Sequence, residues 1–251
     1  MSKNALPTVK HNKYDIRLDE LNQTVKYRPF NVKEHKLLLQ AIELKDEAGL
    51  VNCIRDIVDA CTFEKLDLDR QPVHIVDFLY LQIHAKSTGS TQMANYTCNN
   101  RVLQEDQSFK VCGSQFGLKV NLEDAKIIYP ERYTERRMVM IDDSVGIKLK
   151  VPSFEDFKKI KLDASVLDIT DHFIFSCIES VFTSETVTVP GVDFTLEEAV
   201  EWLNELDGTV MEKIAEFFKE MPYLGLSLPV TCPDCGKKEV IELQGLEDFF
   251  G

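Results

Sequence analysis

Residues 231–236 read Thr231-Cys232-Pro233-Asp234-Cys235-Gly236. Two thiols two residues apart, in a tight turn closed by a glycine that can take left-handed geometry, make the pattern of a zinc knuckle. The N–H groups of such a turn point at the sulfurs and stabilise their charge. Zinc takes four ligands in a tetrahedron, so a second pair is required. Cys98 and Cys112, the latter followed by Gly113, are the candidates, and both fall between strand-like pieces. Thirteen residues separate Cys98 from Cys112, so Asn99–Lys110 becomes an excursion out of the first knuckle. The expected ligand set is therefore Cys98, Cys112, Cys232 and Cys235 around one structural zinc; a metal-free turn is the alternative. Four cysteines close the coordination sphere, so the metal would supply folding energy rather than catalysis. A redox dithiol would need a helix running on from the first cysteine. Gly236 and the strand-like Glu239–Leu243 follow instead.

Outward from the cysteines, Leu226–Thr231 and Glu239–Leu243 read as strands around the second knuckle, and Ala94–Thr97 and Phe116–Asn121 as strands around the first pair. Arg137–Ile141 and Val145–Val151 flank Asp142-Asp143-Ser144 and read as a β-hairpin. The first 24 residues are uncommitted apart from a short strand beginning at Thr24. Asn31 with Glu34 makes a capping box for a helix carrying Leu37, Leu38, Ala41 and Ile42. A second helix spans about Leu50 to Ala60, and a third, with Pro72 in its first turn, carries Ile75, Phe78, Leu79, Leu81 and Gln82. Ser153 with Asp156 and Thr195 with Glu198 repeat the N-cap signature. From Ser153 to Met221 the chain reads helical, interrupted near Thr183–Phe194. The expected fold is α+β, mostly helical, with a small split zinc-ribbon-like β unit and a β-hairpin. Its expected segments are a flexible N-terminus (1–24), a helical domain (25–90), the first ribbon half with the hairpin (91–152), an acidic helical insertion (153–224) and the second ribbon half with the tail (225–251).

Composition bounds the function. The chain has 251 residues, 44% of them apolar, and a mean hydropathy of -0.17, the profile of a soluble globular protein. No apolar run approaches the roughly 18 residues of a membrane span, and no signal sequence opens the chain. No membrane association is expected, and a cytoplasmic location is. Seven cysteines, an odd number, argue against a disulfide framework. Cys53, Cys61 and Cys177 sit in apolar helical contexts and read as small hydrophobes. No phosphate-binding glycine loop, nucleophile elbow, kinase set or His–Glu zinc motif occurs, so no enzyme activity is expected.

The net charge is -13, which would repel a phosphate backbone, and no nucleic-acid partner is expected. Asp193–Glu220 holds nine acids against two lysines. The ordinary meaning is a solvated helical face; the sharper one is a docking surface for a basic partner. The opposite cluster, Arg132, Arg136, Arg137, Lys148 and Lys150, lies on or beside the hairpin.

The order of segments resembles the baseplate hub protein family of T-even-type contractile-tailed bacteriophages. The resembling stretches are Lys26-Tyr-Arg-Pro-Phe-Asn-Val-Lys-Glu-His-Lys-Leu-Leu-Leu39, Val73–Ser87, Tyr96-Thr-Cys98, Val120-Asn-Leu-Glu-Asp124, Lys148-Leu-Lys-Val-Pro-Ser153, Phe217-Phe-Lys-Glu-Met-Pro222, Thr231–Gly236 and Leu243-Gln-Gly-Leu-Glu-Asp-Phe-Phe250. Together they span residues 25 to 250. The spacing of Cys98 and Cys112 departs from the family, whose first cysteine pair is closer. The resemblance implies phage baseplate hub proteins as partners and a part in building the tail hub. That part is either a chaperone-like assembly factor in the host cytoplasm, the favoured form, or a structural subunit retained in the virion baseplate. A zinc-ribbon nucleic-acid adaptor is the remaining alternative.

Overall fold

The computed structural model describes residues 10–104, 107–159 and 165–250. Residues 1–9 of the expected flexible N-terminus, two residues of the Cys98–Cys112 excursion and residues 160–164 of the expected acidic insertion lie outside these. The chain divides into two units that interleave in sequence: one holds Met1–Leu66, Leu79–Asp124 and Pro229–Val240, the other Asp67–Phe78, Ala125–Leu228 and Ile241–Gly251.

The first unit opens with an antiparallel hairpin, β1 (Tyr14–Leu18) and β2 (Gln23–Tyr27), pairing Tyr14 with Tyr27 and Leu18 with Gln23. Strand β1 lies in the stretch where no element was expected. Helices α1 (Val32–Leu44) and α2 (Glu47–Cys61) follow. The capping box is formed: Asn31 Oδ1 accepts from the N–H groups of Lys33 and Glu34, and Glu34 accepts from the Asn31 N–H at 2.6 Å. Burial works against a charge on Glu34, but the hydrogen bonds from Arg28 and the Asn31 N–H outweigh it and hold the carboxyl below its usual range. Helix α3 (Val73–Thr88) crosses from one unit to the other between Phe78 and Leu79. Its C-terminal half buries Leu79, Tyr80 and Ile83, in the same unit as Leu18, Val25, Leu38 and Val58. Next come β3 (Thr91–Thr97), β4 (Arg101–Leu103), β5 (Phe109–Val111) and β6 (Gln115–Asn121). β3 pairs with β6 along its whole length, and β4 with β5. The amide of Gln82 and the carboxylate of Glu123, the latter through Lys86 at 2.8 Å, tie the base of this ribbon to α3.

The second unit carries β7 (Lys126–Ile128), the short α4 (Tyr133–Arg136), β8 (Met138–Met140), β9 (Gly146–Leu149), α5 (Phe154–Lys158), α6 (Val166–Cys177), β10 (Ile178–Phe182), β11 (Val187–Thr188), α7 (Leu196–Asn204) and α8 (Gly208–Lys219). Strands β12 (Tyr223–Thr231) and β13 (Lys238–Gln244) and helix α9 (Gly245–Phe250) complete the chain. The expected hairpin is present as β8–β9, its turn held by Asp142 accepting from the N–H groups of Ser144 and Val145. It forms half of a four-stranded sheet in the order β11-β10-β9-β8. Ile147, Leu149, Cys177, Ile178, Ile214 and Phe217 are almost wholly buried in the cluster between this sheet and α6, α7 and α8. The capping boxes at Ser153 and Thr195 are both formed.

The expectation of a mostly helical protein is overturned. Of the described residues 42% are helix and 29% strand, a mixed α+β protein with several small sheets. The clearest source of the difference is Ile178–Phe182, which runs on from α6 with no glycine or proline between and was read as helix. A run as short as Ile-Glu-Ser-Val-Phe fits both periodicities, and its pairing with β9 decides it. Among the described residues no helix is long and apolar enough to cross a membrane.

Candidate metal centre

β3 and β6 end together, Thr97 opposite Gln115, and the chain beyond them is tied by backbone hydrogen bonds. The Cys98 N–H donates to Ser114 O at 2.8 Å and the Gly113 N–H to Cys98 O at 2.9 Å. The excursion then doubles back as β4–β5, and the Cys112 N–H donates to Asn100 O at 2.7 Å. Cys98 and Cys112 thus meet despite the thirteen residues between them, because those residues form their own hairpin and leave no net displacement. The second turn, between β12 and β13, closes through Gly236 N–H to Cys232 O at 3.0 Å and Cys232 N–H to Lys237 O at 2.9 Å. Gly113 and Gly236 have φ of +70° and +72°, the left-handed region where a side chain is strained.

The two turns bring the four expected cysteines together. Their sulfurs all lie within 4.8 Å of one another, with Cys98 to Cys235 at 3.7 Å and Cys112 to Cys232 at 3.8 Å. Four thiolates at a zinc–sulfur distance of ~2.3 Å in a regular tetrahedron have edges of ~3.8 Å. The separations are far beyond the ~2.05 Å of a disulfide. Cys98 and Cys232 are buried, Cys112 and Cys235 half-buried.

The electrostatics suit a cation. N–H groups of Cys235 and Asp234 lower the Cys232 thiol to about 6. Its neighbour Cys98 receives an N–H from Asn100, yet burial and the surrounding sulfurs push it up to about 12. The Cys232 thiolate forms readily while Cys98 and Cys112 are pushed up, because burial and neighbouring sulfurs disfavour further negative charge in a shared space. A divalent cation removes that penalty, so the donor set fits Zn2+.

The surroundings support the cluster with groups that the motif did not flag. Asn100 Nδ2 lies 3.5 Å from Cys235 Sγ as a hydrogen-bond donor. Tyr96 packs edge-on against Phe116 at 5.5 Å and donates its hydroxyl to Glu239, which pairs with Lys237 at 2.7 Å. The sequence signal was only proximity: Asn100 is two residues from Cys98, and Lys237 and Glu239 flank the second turn.

The other sequence candidates are placed as follows. Cys61 and Cys177 are wholly buried, burial pushing each thiol up to about 12, and Cys53 is half-buried on α2. On α7 and α8, Ala199, Leu203, Val210, Ile214 and Phe217 face the core, leaving Glu197, Glu198, Glu201, Glu205 and Glu212 exposed. Most of the basic cluster near the hairpin is used internally. Arg136 pairs with Glu216 at 2.5 Å, Arg137 and Lys148 share Glu179, and Lys150 pairs with Asp156.

The comparisons with known proteins agree with the resemblance. The chain is 27% identical over 244 residues to the baseplate hub assembly protein gp26 of Enterobacteria phage T4, covering 95% of this chain and 97% of that protein. No solved structure matches. The sequence profile of the T4 bacteriophage base plate proteins matches residues 11–251, and the chain belongs to that family.

Proposed function

We propose that this protein is a non-enzymatic, chaperone-like factor for building the baseplate hub of a contractile phage tail. It binds hub components in the host cytoplasm, and its ribbon is held by one structural zinc on Cys98, Cys112, Cys232 and Cys235. The observation that carries the assembly role is the extent of the match to the T4 hub assembly protein. The match runs over 95% of this chain and 97% of that protein, so it is not confined to a single module. The zinc rests on four sulfurs within 4.8 Å of one another. Four thiolates leave the metal no open position, so its role is to fix the ribbon.

The experiment is affinity capture from phage-infected cells during tail assembly, combined with mass-spectrometric counting of the protein in purified finished tails. Capture of baseplate hub proteins with absence from finished tails is the expected result. Stoichiometric presence in finished tails would overturn the chaperone role. The family description, base plate protein, favours the second reading, a retained hub subunit, which predicts that stoichiometric presence.

A further inference from the structure

In the second unit, the β10–β11 end of the sheet, the loop through Phe194 and helix α7 border an open cavity of about 460 Å3. Val181, Phe194, Ala199 and Trp202 supply apolar wall, and Asp193 and Glu198 line it as exposed acids. Trp202, the single tryptophan of the chain, is half-buried. The aromatic wall is held in place: Phe194 meets Phe175 edge-on at 6.1 Å, and Phe194 and Trp202 both pack against the buried core. The two carboxylates are also oriented. Asp193 accepts the Val189 N–H and Glu198 the Thr195 N–H, each at 2.8 Å. Both donors are neutral backbone groups, so the negative charge at the cavity remains.

Among the described residues, no lysine or arginine lines the cavity. The sequence deepens that asymmetry, because between Lys161 and Lys213 there is no lysine or arginine and there are twelve acids. Within it, residues 187–192 expose three valines, Val187, Val189 and Val192. An aromatic wall beside fixed carboxylates, with apolar side chains around it, is complementary to an arginine. Its stem buries against apolar surface, its planar head stacks on an indole, and its charge meets the acids. Within this chain's own basic cluster by the hairpin, Arg136, Arg137, Lys148 and Lys150 already have internal carboxylate partners.

We propose that the Trp202 cavity receives an arginine-bearing segment, flanked by apolar residues, of a partner protein. That the partner is a baseplate hub component rests on the assembly reading above; the chemistry of the segment rests on the cavity.

The test is a titration of the full-length protein with the blocked peptides acetyl-Leu-Arg-Leu-amide and acetyl-Leu-Glu-Leu-amide, followed by Trp202 fluorescence. The expected result is a saturable change with the arginine peptide, weakened by raising salt from ~20 to ~300 mM, and none with the glutamate peptide. The double variant Asp193→Asn, Glu198→Gln keeps an amide oxygen for each backbone N–H and removes both charges; affinity should fall about tenfold or more. No saturable change up to ~10 mM, or an equal response to both peptides, overturns the proposal. Capture from infected cells with wild type and double variant separates the two readings. If wild type captures hub proteins and the variant captures them equally, the cavity is not the docking site and the assembly role stands. If wild type captures none, the assembly role fails and the peptide titration still decides the cavity. Mass spectrometry of the protein with the arginine peptide checks for self-association; a dimer that displaces the peptide would replace the partner with a second copy and overturn the proposal.

Discussion

The β3–β6 ribbon and the four-stranded sheet β11-β10-β9-β8 are both made of short strands, but different forces hold them. Along β3 no residue is fully buried, and along β6 only Val120 is. By contrast β9 buries Gly146, Ile147 and Leu149 against helices that contribute Ile174, Leu203, Ile214 and Phe217. Two exposed strands bury too little apolar surface to offset their ordering entropy, and an isolated hairpin is marginal in water. The proposed zinc would supply a clamp at the ribbon's open end, where the four sulfurs sit. The sheet needs none, because its core supplies the burial. On the zinc reading proposed above, metal chemistry stands in for a hydrophobic core where the strands are too few to enclose one.

The largest effect that could break this contrast comes from the clamp. Cys235→Ser should cost more than about 4 kcal/mol in the ribbon, seen as loss of hydrogen-exchange protection over residues 91–121, while the amides of α6 and α8 keep theirs. Equal protection in variant and wild type would mean that the strands hold without the cysteines. Phe217→Ala attacks the other region. Deleting a ring at the centre of the sheet's core should cost about 3–5 kcal/mol by denaturant unfolding and leave the metal content unchanged.

A smaller effect concerns Asp77 of α3, whose carboxyl is pushed up to about 7 by desolvation. In the unfolded chain it titrates near its ordinary value of 3.8. Between those pH values the folded state holds the proton and the unfolded state has released it, so Asp77 makes stability fall as pH rises through this window. Above about 7 both states are ionised and the cost is fully present. Asp77→Asn should remove a slope of up to about 1.4 kcal/mol per pH unit and stabilise the protein at pH 7 and above. Parallel stability–pH curves for variant and wild type would contradict this. The smallest effect is Asn31→Ala, which removes the cap accepting from Lys33 and Glu34 and should cost about 1 kcal/mol in thermal unfolding without touching either the ribbon or the sheet.

What was legible in the sequence follows the same division. Chemistry that is local in sequence was readable: the Asn31, Ser153 and Thr195 caps, the Asp142 turn and the Cys-Pro-Asp-Cys knuckle each fit within a few residues. The pairing of Cys98 with Cys112 was reachable only by counting zinc ligands, since the intervening hairpin of two three-residue strands is too short to carry a periodic signal. Strand β1 was hidden in a charged stretch, and β10 in an apolar run continuous with α6. Pairing decided both, β1 through its hairpin with Gln23–Tyr27 and β10 through its long-range contact with β9. The Trp202 cavity was invisible for the same reason: Val181, Phe194 and Trp202 meet only once β10 has joined the sheet.

The most direct test of the clamp is native mass spectrometry of the purified protein, before and after mild acid, with alkylation of the thiols in each state. The predicted result is one zinc ion per chain, lost on acidification, with Cys98, Cys112, Cys232 and Cys235 protected from alkylation until the metal leaves. A metal-free native mass with those four thiols freely alkylated would contradict the account.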